Sequence, residues 1–122
     1  MLQGSESIMK IRYEGDIVHM EIEGDISFSN AQDILKEILS SIKSTNKTAI
    51  INLSRVGFMD SYGLSIFISL LKRAKENGGE LILEYPQLGV QRFLEMTQLD
   101  KLMEIRKAEE PKTGEWPEAG KT

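Results

Sequence analysis

Asp60, Ser61 and Gly63 stand together in RVGFMDSYGL, residues 55–64, where a short apolar run gives way to a helical pattern. A serine in that turn admits three readings. With a base beside it the hydroxyl is a nucleophile. In the first turn of a helix it projects outward, next to backbone N–H groups that can bind an added phosphate. It is also the ordinary serine that helix starts favour. Asp60 has two readings. As an N-cap it accepts from the backbone N–H of Tyr62 or Gly63 and suits the positive end of the helix dipole. As a surface carboxylate it belongs to whatever site Ser61 makes.

The nucleophile lacks its supporting parts. A strand-turn-helix elbow of the form G-x-S-x-G needs glycine two residues before the serine, and Met59 is there instead. The single histidine, His19, alternates out of phase with Val18, Met20 and Ile22, so it faces away from their apolar side with no ligand-spaced partner. Neither it nor any lysine supplies a base for a small hydrolase built on Ser61. Without cysteine there is no disulfide framework and no thiolate metal site. Scattered glycines form no phosphate loop, so no cofactor is expected. Fifteen basic against nineteen acidic residues give a net charge of −4, with no basic cluster along the sequence to gather a nucleic-acid backbone. The opening MLQGSES is no secretory leader, and no apolar run approaches the roughly 18 to 20 residues that span a bilayer. A soluble, cytoplasmic binding protein is the expectation, with no catalytic residues, no metal, no direct nucleic-acid contact and no membrane contact.

The elements that must position Ser61 follow from periodicity. At 122 residues the chain fits one domain. Met9, Ile11 and Tyr13 alternate with Lys10 and Arg12; beyond Glu14-Gly15-Asp16 a second alternation runs through Val18, Met20 and Ile22, giving a β-hairpin with one buried face. Ala31, Ile34, Leu35, Ile38, Leu39 and Ile42 form the stripe of an amphipathic helix. Ser29 and Gln32 have capping-box spacing, which starts that helix near Asn30. Ala49, Ile50, Ile51 and Leu53 suit a central strand buried on both faces.

From Ser61 a second helix places Leu64, Phe67, Ile68, Leu71 and Ala74 on one face and ends at Asn77-Gly78-Gly79. Leu81 to Leu83 form a strand that Tyr85-Pro86 breaks. A third helix follows at Val90, Phe93 and Leu94, and a last short strand around Met103 and Ile105. The order ββαβαβαβ predicts an α/β fold: one mixed, mostly parallel sheet with an N-terminal β-hairpin and helices packed on it. Residues 1–7 and 108–122 read as a flexible N-terminus and a flexible tail around a domain at 8–107. Trp116 in the tail fits both a docking anchor and an idle aromatic, and carries no assignment.

The segment INLSRVGFMDSYGLSIFISLLKRAKENGGELIL, residues 51–83, resembles the strand, Asp-Ser-[Ser/Thr]-Gly-Leu turn, helix and Gly-Gly of the STAS domain. Upstream, EGDISFSNAQDILKEI is similar to that family's Gly-x-[Leu/Ile]-Asp segment, with Gly24 and Ile26 in place. The resemblance covers about residues 8–107 and is to the free-standing anti-sigma factor antagonists of bacteria. It departs at Ser27, where the family usually has Asp and where Asp25 is the nearest substitute. It departs again at Tyr62, where many members carry a second Ser or Thr, which leaves Ser61 as the phosphate acceptor.

What the resemblance implies is partner switching. Unphosphorylated protein binds an anti-sigma factor serine/threonine kinase and frees a sigma factor; phosphorylation of Ser61 releases the kinase, and a serine phosphatase resets the cycle. The docking surface implied comprises Asp25, Ser27, Phe28, Ser29, Asp60, Ser61, Tyr62 and Gly63. Phe28 fits that surface and the core equally well. The same family also implies an alternative, an interaction or scaffold module of a stressosome-like or lipid-transport assembly whose serine is never phosphorylated.

Overall fold

Side-chain alternation builds the first edge of the sheet. In the computed structural model, which describes residues 8–107, β1 (Ile8–Glu14) and β2 (Ile17–Glu23) pair antiparallel across a turn in which Gly15 takes φ +61°. Val18, Met20 and Ile22 are buried, whereas Ile11 and Tyr13 remain 36% and 42% exposed. The buried face of the hairpin is therefore chiefly that of β2, because β1 is the outer strand of the sheet. Tyr13 still has work at that edge: its hydroxyl donates to the Ser41 carbonyl at 2.6 Å, satisfying a carbonyl at the end of α1 (Ala31–Ser41).

The remaining strands run parallel. They are β3 (Thr48–Arg55), β4 (Glu80–Glu84) and β5 (Glu104–Arg106), in the order β1-β2-β3-β4-β5. This is the expected mixed sheet with β3 at its centre. The register Met20↔Ile51↔Leu83 turns those side chains to one face, where they join the helices in a single apolar core. On the opposite face Arg12, His19, Ile50, Ile82 and Glu104 lie side by side. Ile50 and Ile82 are buried there outside the main core, so β3 is enclosed on both sides as its sequence implies, and His19 lies away from Val18 and Met20. Met103 is buried but precedes β5.

α1 begins where expected but by another device. The Ser29–Gln32 capping box does not form; the Ser29 hydroxyl meets that of Ser27 at 3.1 Å. Asn30 instead turns its amide back into the preceding loop. Its Oδ1 accepts from Ser27 N at 2.9 Å and its Nδ2 donates to the Asp25 carbonyl at 2.8 Å.

α2 (Ser61–Glu76) buries Gly63, Leu64, Ile66, Phe67, Leu70 and Leu71. Ile68, expected in the core, is 47% exposed. The helix is turned toward its Gly63 side because that residue lies against Ile26 and Met59, which brings Ile66 and Leu70 inward. α3 (Leu88–Met96) and a short 3-10 turn at Leu99–Lys101 lead into β5. The flanking segments 1–7 and 108–122, including Trp116, lie outside the described residues.

The corrected face of α2 is directly measurable by urea denaturation. Phe67→Ala should cost about 3 to 5 kcal/mol, since Phe67 is fully buried. Ile68→Ala should cost less than about 1 kcal/mol.

Candidate functional site

Two loops meet at the carboxyl ends of β2 and β3, the end of an open α/β sheet where sites commonly form. Residues 24–30 lead into α1 and residues 56–60 into α2. Backbone bonds lock them together: Gly24 N to Arg55 O and Ile26 N to Phe58 O, both 3.0 Å, and Asp60 N to Ile26 O at 3.2 Å. An isolated parallel bridge joins Ile26 to Met59, and both side chains are buried beneath it.

Gly63 lets the first turn of α2 settle onto this bridge. A Cβ there would stand 2.7 Å from Met59 Cγ, 2.8 Å from Ile26 O and 2.9 Å from Ile26 Cγ2, none of which leaves room for a methyl. Glycine at 63 is thus required by close approach rather than by an unusual φ.

Asp60 fastens the assembly. Its backbone is extended, as an N-cap requires, and its Oδ1 accepts from Tyr62 N at 2.9 Å and Gly63 N at 3.0 Å. Its Oδ2 reaches across to the other loop and accepts from Phe28 N at 3.1 Å. One carboxylate therefore caps α2 and pins the approach to α1. The pinned residue, Phe28, is 73% exposed, so it is no core residue; its ring lies 6.1 Å from that of Tyr62, itself 59% exposed, at an interplanar angle of 57°. Ser61 is the first residue of α2 and is exposed beside them.

The eight residues singled out in the sequence all come to this one end of the domain. Ser27 and Ser29 touch through their hydroxyls, and the Asp25 carboxylate points across to Gly57, 3.5 Å from where a Cβ would stand there. One expectation changes. The N–H groups of Tyr62 and Gly63, which a phosphate on Ser61 would use, are already taken by Asp60.

Phe58 was not foreseen; it is 53% exposed between buried Val56 and Met59, and its signal is an aromatic standing out of phase with buried neighbours. Asn30 was missed too, since its role depends on a loop closure that no spacing rule describes. Glu14, held below the usual carboxylate range first by the His19 hydrogen bond and then by Arg12, and Glu95, lowered first by its bond from Gln91, both lie away from the site. Among the described residues no three His, Cys, Asp or Glu side chains are grouped to hold a metal, and no helix is long and apolar enough to cross a membrane.

The described residues form a small α/β domain, a five-stranded mixed sheet whose carboxyl edge presents an exposed serine beside paired aromatics. The chain belongs to the STAS domain family, whose model matches residues 8–111. It is 33% identical over 92 residues to the anti-sigma-B factor antagonist of Bacillus subtilis (strain 168), covering 75% of this chain and 83% of that one. The fold is shared with an anti-sigma factor antagonist from Mycobacterium paratuberculosis, at a TM-score of 0.77 and 18% identity over 87% of this chain and 90% of that one. It is shared also with the anti-sigma factor antagonist SpoIIAA in its unphosphorylated form, at a TM-score of 0.65 and 18% identity over 84% and 90% of the two chains. SpoIIAA of Bacillus in its phosphorylated form gives a TM-score of 0.61 at 17% identity, over 82% and 92%.

The double duty of Asp60 separates two substitutions. Asp60→Ala should lower stability by about 1 to 2 kcal/mol and speed amide exchange at Phe28. Asp60→Asn, able to accept at Oδ1 but presenting an NH₂ to Phe28 N, should keep most of the cap and still lose protection at Phe28. Hydrogen exchange followed by NMR, with urea melts, reads both.

Proposed function

We propose that the protein is an anti-sigma factor antagonist that works as a phosphorylation-controlled binding switch rather than as an enzyme, and does so in the cytoplasm. Unphosphorylated, it holds an anti-sigma factor serine kinase and so frees a sigma factor; phosphate on Ser61 releases the kinase, and a serine phosphatase restores binding. The observation that carries this reading is the exposed Ser61 at the start of α2, beside the Phe28–Tyr62 ring pair. The names of its relatives support it, as does the similarity of this fold to a protein solved with and without phosphate.

The electrostatics favour release. A phosphate brings about −1.5 to −2 charge to a surface that must lose water to bind. It arrives one residue from the Asp60 carboxylate, whose oxygens already hold the N–H groups of Tyr62, Gly63 and Phe28. Repulsion between the two anions therefore acts on the clamp as well as on the partner. The dipole of α2 offsets part of that cost, which leaves the fold intact while the surface changes.

Mass spectrometry of the protein from its own cells, with and without stress, should find phosphate on Ser61 in a proportion that changes with conditions. By calorimetry with the cognate kinase, Ser61→Asp should weaken binding at least tenfold, about 1.4 kcal/mol, while Ser61→Ala binds normally. Phe28→Ala and Tyr62→Ala should each cost about 2 kcal/mol if the aromatic pair is the centre of the contact. Full binding by Ser61→Asp, or a Ser61 never phosphorylated under any condition, would favour a constitutive STAS scaffold.

A further inference from the structure

The end of the domain opposite Ser61 carries a second feature, one that the switch does not use. Between the last turns of α1 and α2, over the amino ends of β3 and β4, lies a cavity of about 740 Å³. Leu39, Ile42, Leu70 and Leu81 supply its apolar floor, and Ala49 and Ala74 stand where larger side chains would fill it. Lys36, Lys43, Lys47 and Arg73 line it as well, against a single carboxylate among the described residues, Glu80. Among the described residues none of these four cations has an ion-pair partner, although Lys43 also rests 4.1 Å over the Tyr13 ring.

The chemistry of the lining selects an occupant. The volume falls within the roughly 300 to 1,000 Å³ of small-molecule sites. Among the described residues no aromatic ring lines the cavity, so they offer no stacking platform for a base; their apolar surface is aliphatic. Four cations without an ion-pair partner among the described residues, in a chain of net charge −4, reverse the local charge and call for an anion at the rim. Arg73 provides a planar fork suited to a carboxylate, while the lysine stems extend the apolar surface beneath their charges.

We propose that this cavity binds a free long-chain fatty acid, its hydrocarbon chain on the leucine and alanine floor and its carboxylate at the Arg73 and Lys47 side of the rim. The site is independent of the function assigned to Ser61, and binding is measured without any protein partner.

The test is calorimetric titration of the full chain with oleate below its micelle concentration, at low salt. Saturable one-to-one binding is expected. The paired substitution Lys47→Glu with Arg73→Glu should weaken it at least tenfold, as should replacing oleate by the uncharged oleyl alcohol. Ala74→Phe, which fills the cavity, should abolish it, with circular dichroism melts establishing that each variant is folded. Absence of saturable binding, equal affinity for the alcohol, or affinity unmoved by both variants would overturn the proposal. So would binding to phosphatidylglycerol vesicles without binding to free oleate, which would make the patch a membrane-surface contact. Trp116, the single tryptophan, reads the remaining rival. Blue-shifted emission in the ligand-free protein that turns red in Ala74→Phe would seat the chain's own C-terminal segment in the cavity and overturn it equally.

Discussion

The Asp60 carboxylate is shared between two helix approaches, and the geometry of the site depends on that sharing. Oδ1 completes the start of α2 and Oδ2 holds the backbone of Phe28, so one carboxylate ties together the two loops at the carboxyl edge of the sheet. The bridge between Ile26 and Met59 fixes their separation, and the bare Cα of Gly63 lets α2 sit low enough for the carboxylate to reach both sides. A larger residue at 63 would lift the helix; a shorter one at 60 would leave the Phe28 amide without its acceptor. Ser61 and the aromatic pair are thus presented by a preorganised frame, which lowers the ordering cost of binding.

That frame also sets the sense in which a phosphate would act. At most helix starts an added phosphate finds unpaired N–H groups and orders the segment. Here the donors of Tyr62 and Gly63 are engaged by a neighbouring anion. A new charge at Ser61 competes with a carboxylate for the same helix end instead of filling an empty site. On the proposed reading, phosphate at Ser61 would therefore loosen a surface it would elsewhere tighten, without touching the apolar core below.

The fold and the centre of the site were legible in the sequence because both rest on local pattern. Alternation in β2, the stripe of α1 and the Asp60 cap each involve residues a few positions apart, and each stands in the structure. What was illegible depends on contacts distant in sequence. Asn30 replaced the Ser29 capping box because the loop before α1 offered its amide both a donor and an acceptor. Ile68 fits an ideal stripe with Leu64 and Leu71, but the close approach at Gly63 rotates the helix and leaves it in water. The sequence holds no basic run, yet Lys36, Lys43, Lys47 and Arg73 converge because two helices and a loop end side by side. Charge counted along a chain is a poor guide to charge gathered across a fold.

The placement of the two features at opposite ends of α2 bears on how they relate. Ser61 and Arg73 stand twelve residues apart on the helix, about 18 Å, roughly two Debye lengths at physiological salt. A phosphate at Ser61 and an anion at Arg73 are therefore largely screened from each other as charges. Communication between them needs a mechanical carrier, and α2 carries Ser61 at one end and Arg73 near the other. Its middle is clamped by Phe67, Leu70 and Leu71 in the core, so a shift at one terminus costs packing before it reaches the other. The same burial that makes α2 a rigid platform for Ser61 would thus isolate the proposed switch from the proposed cavity site.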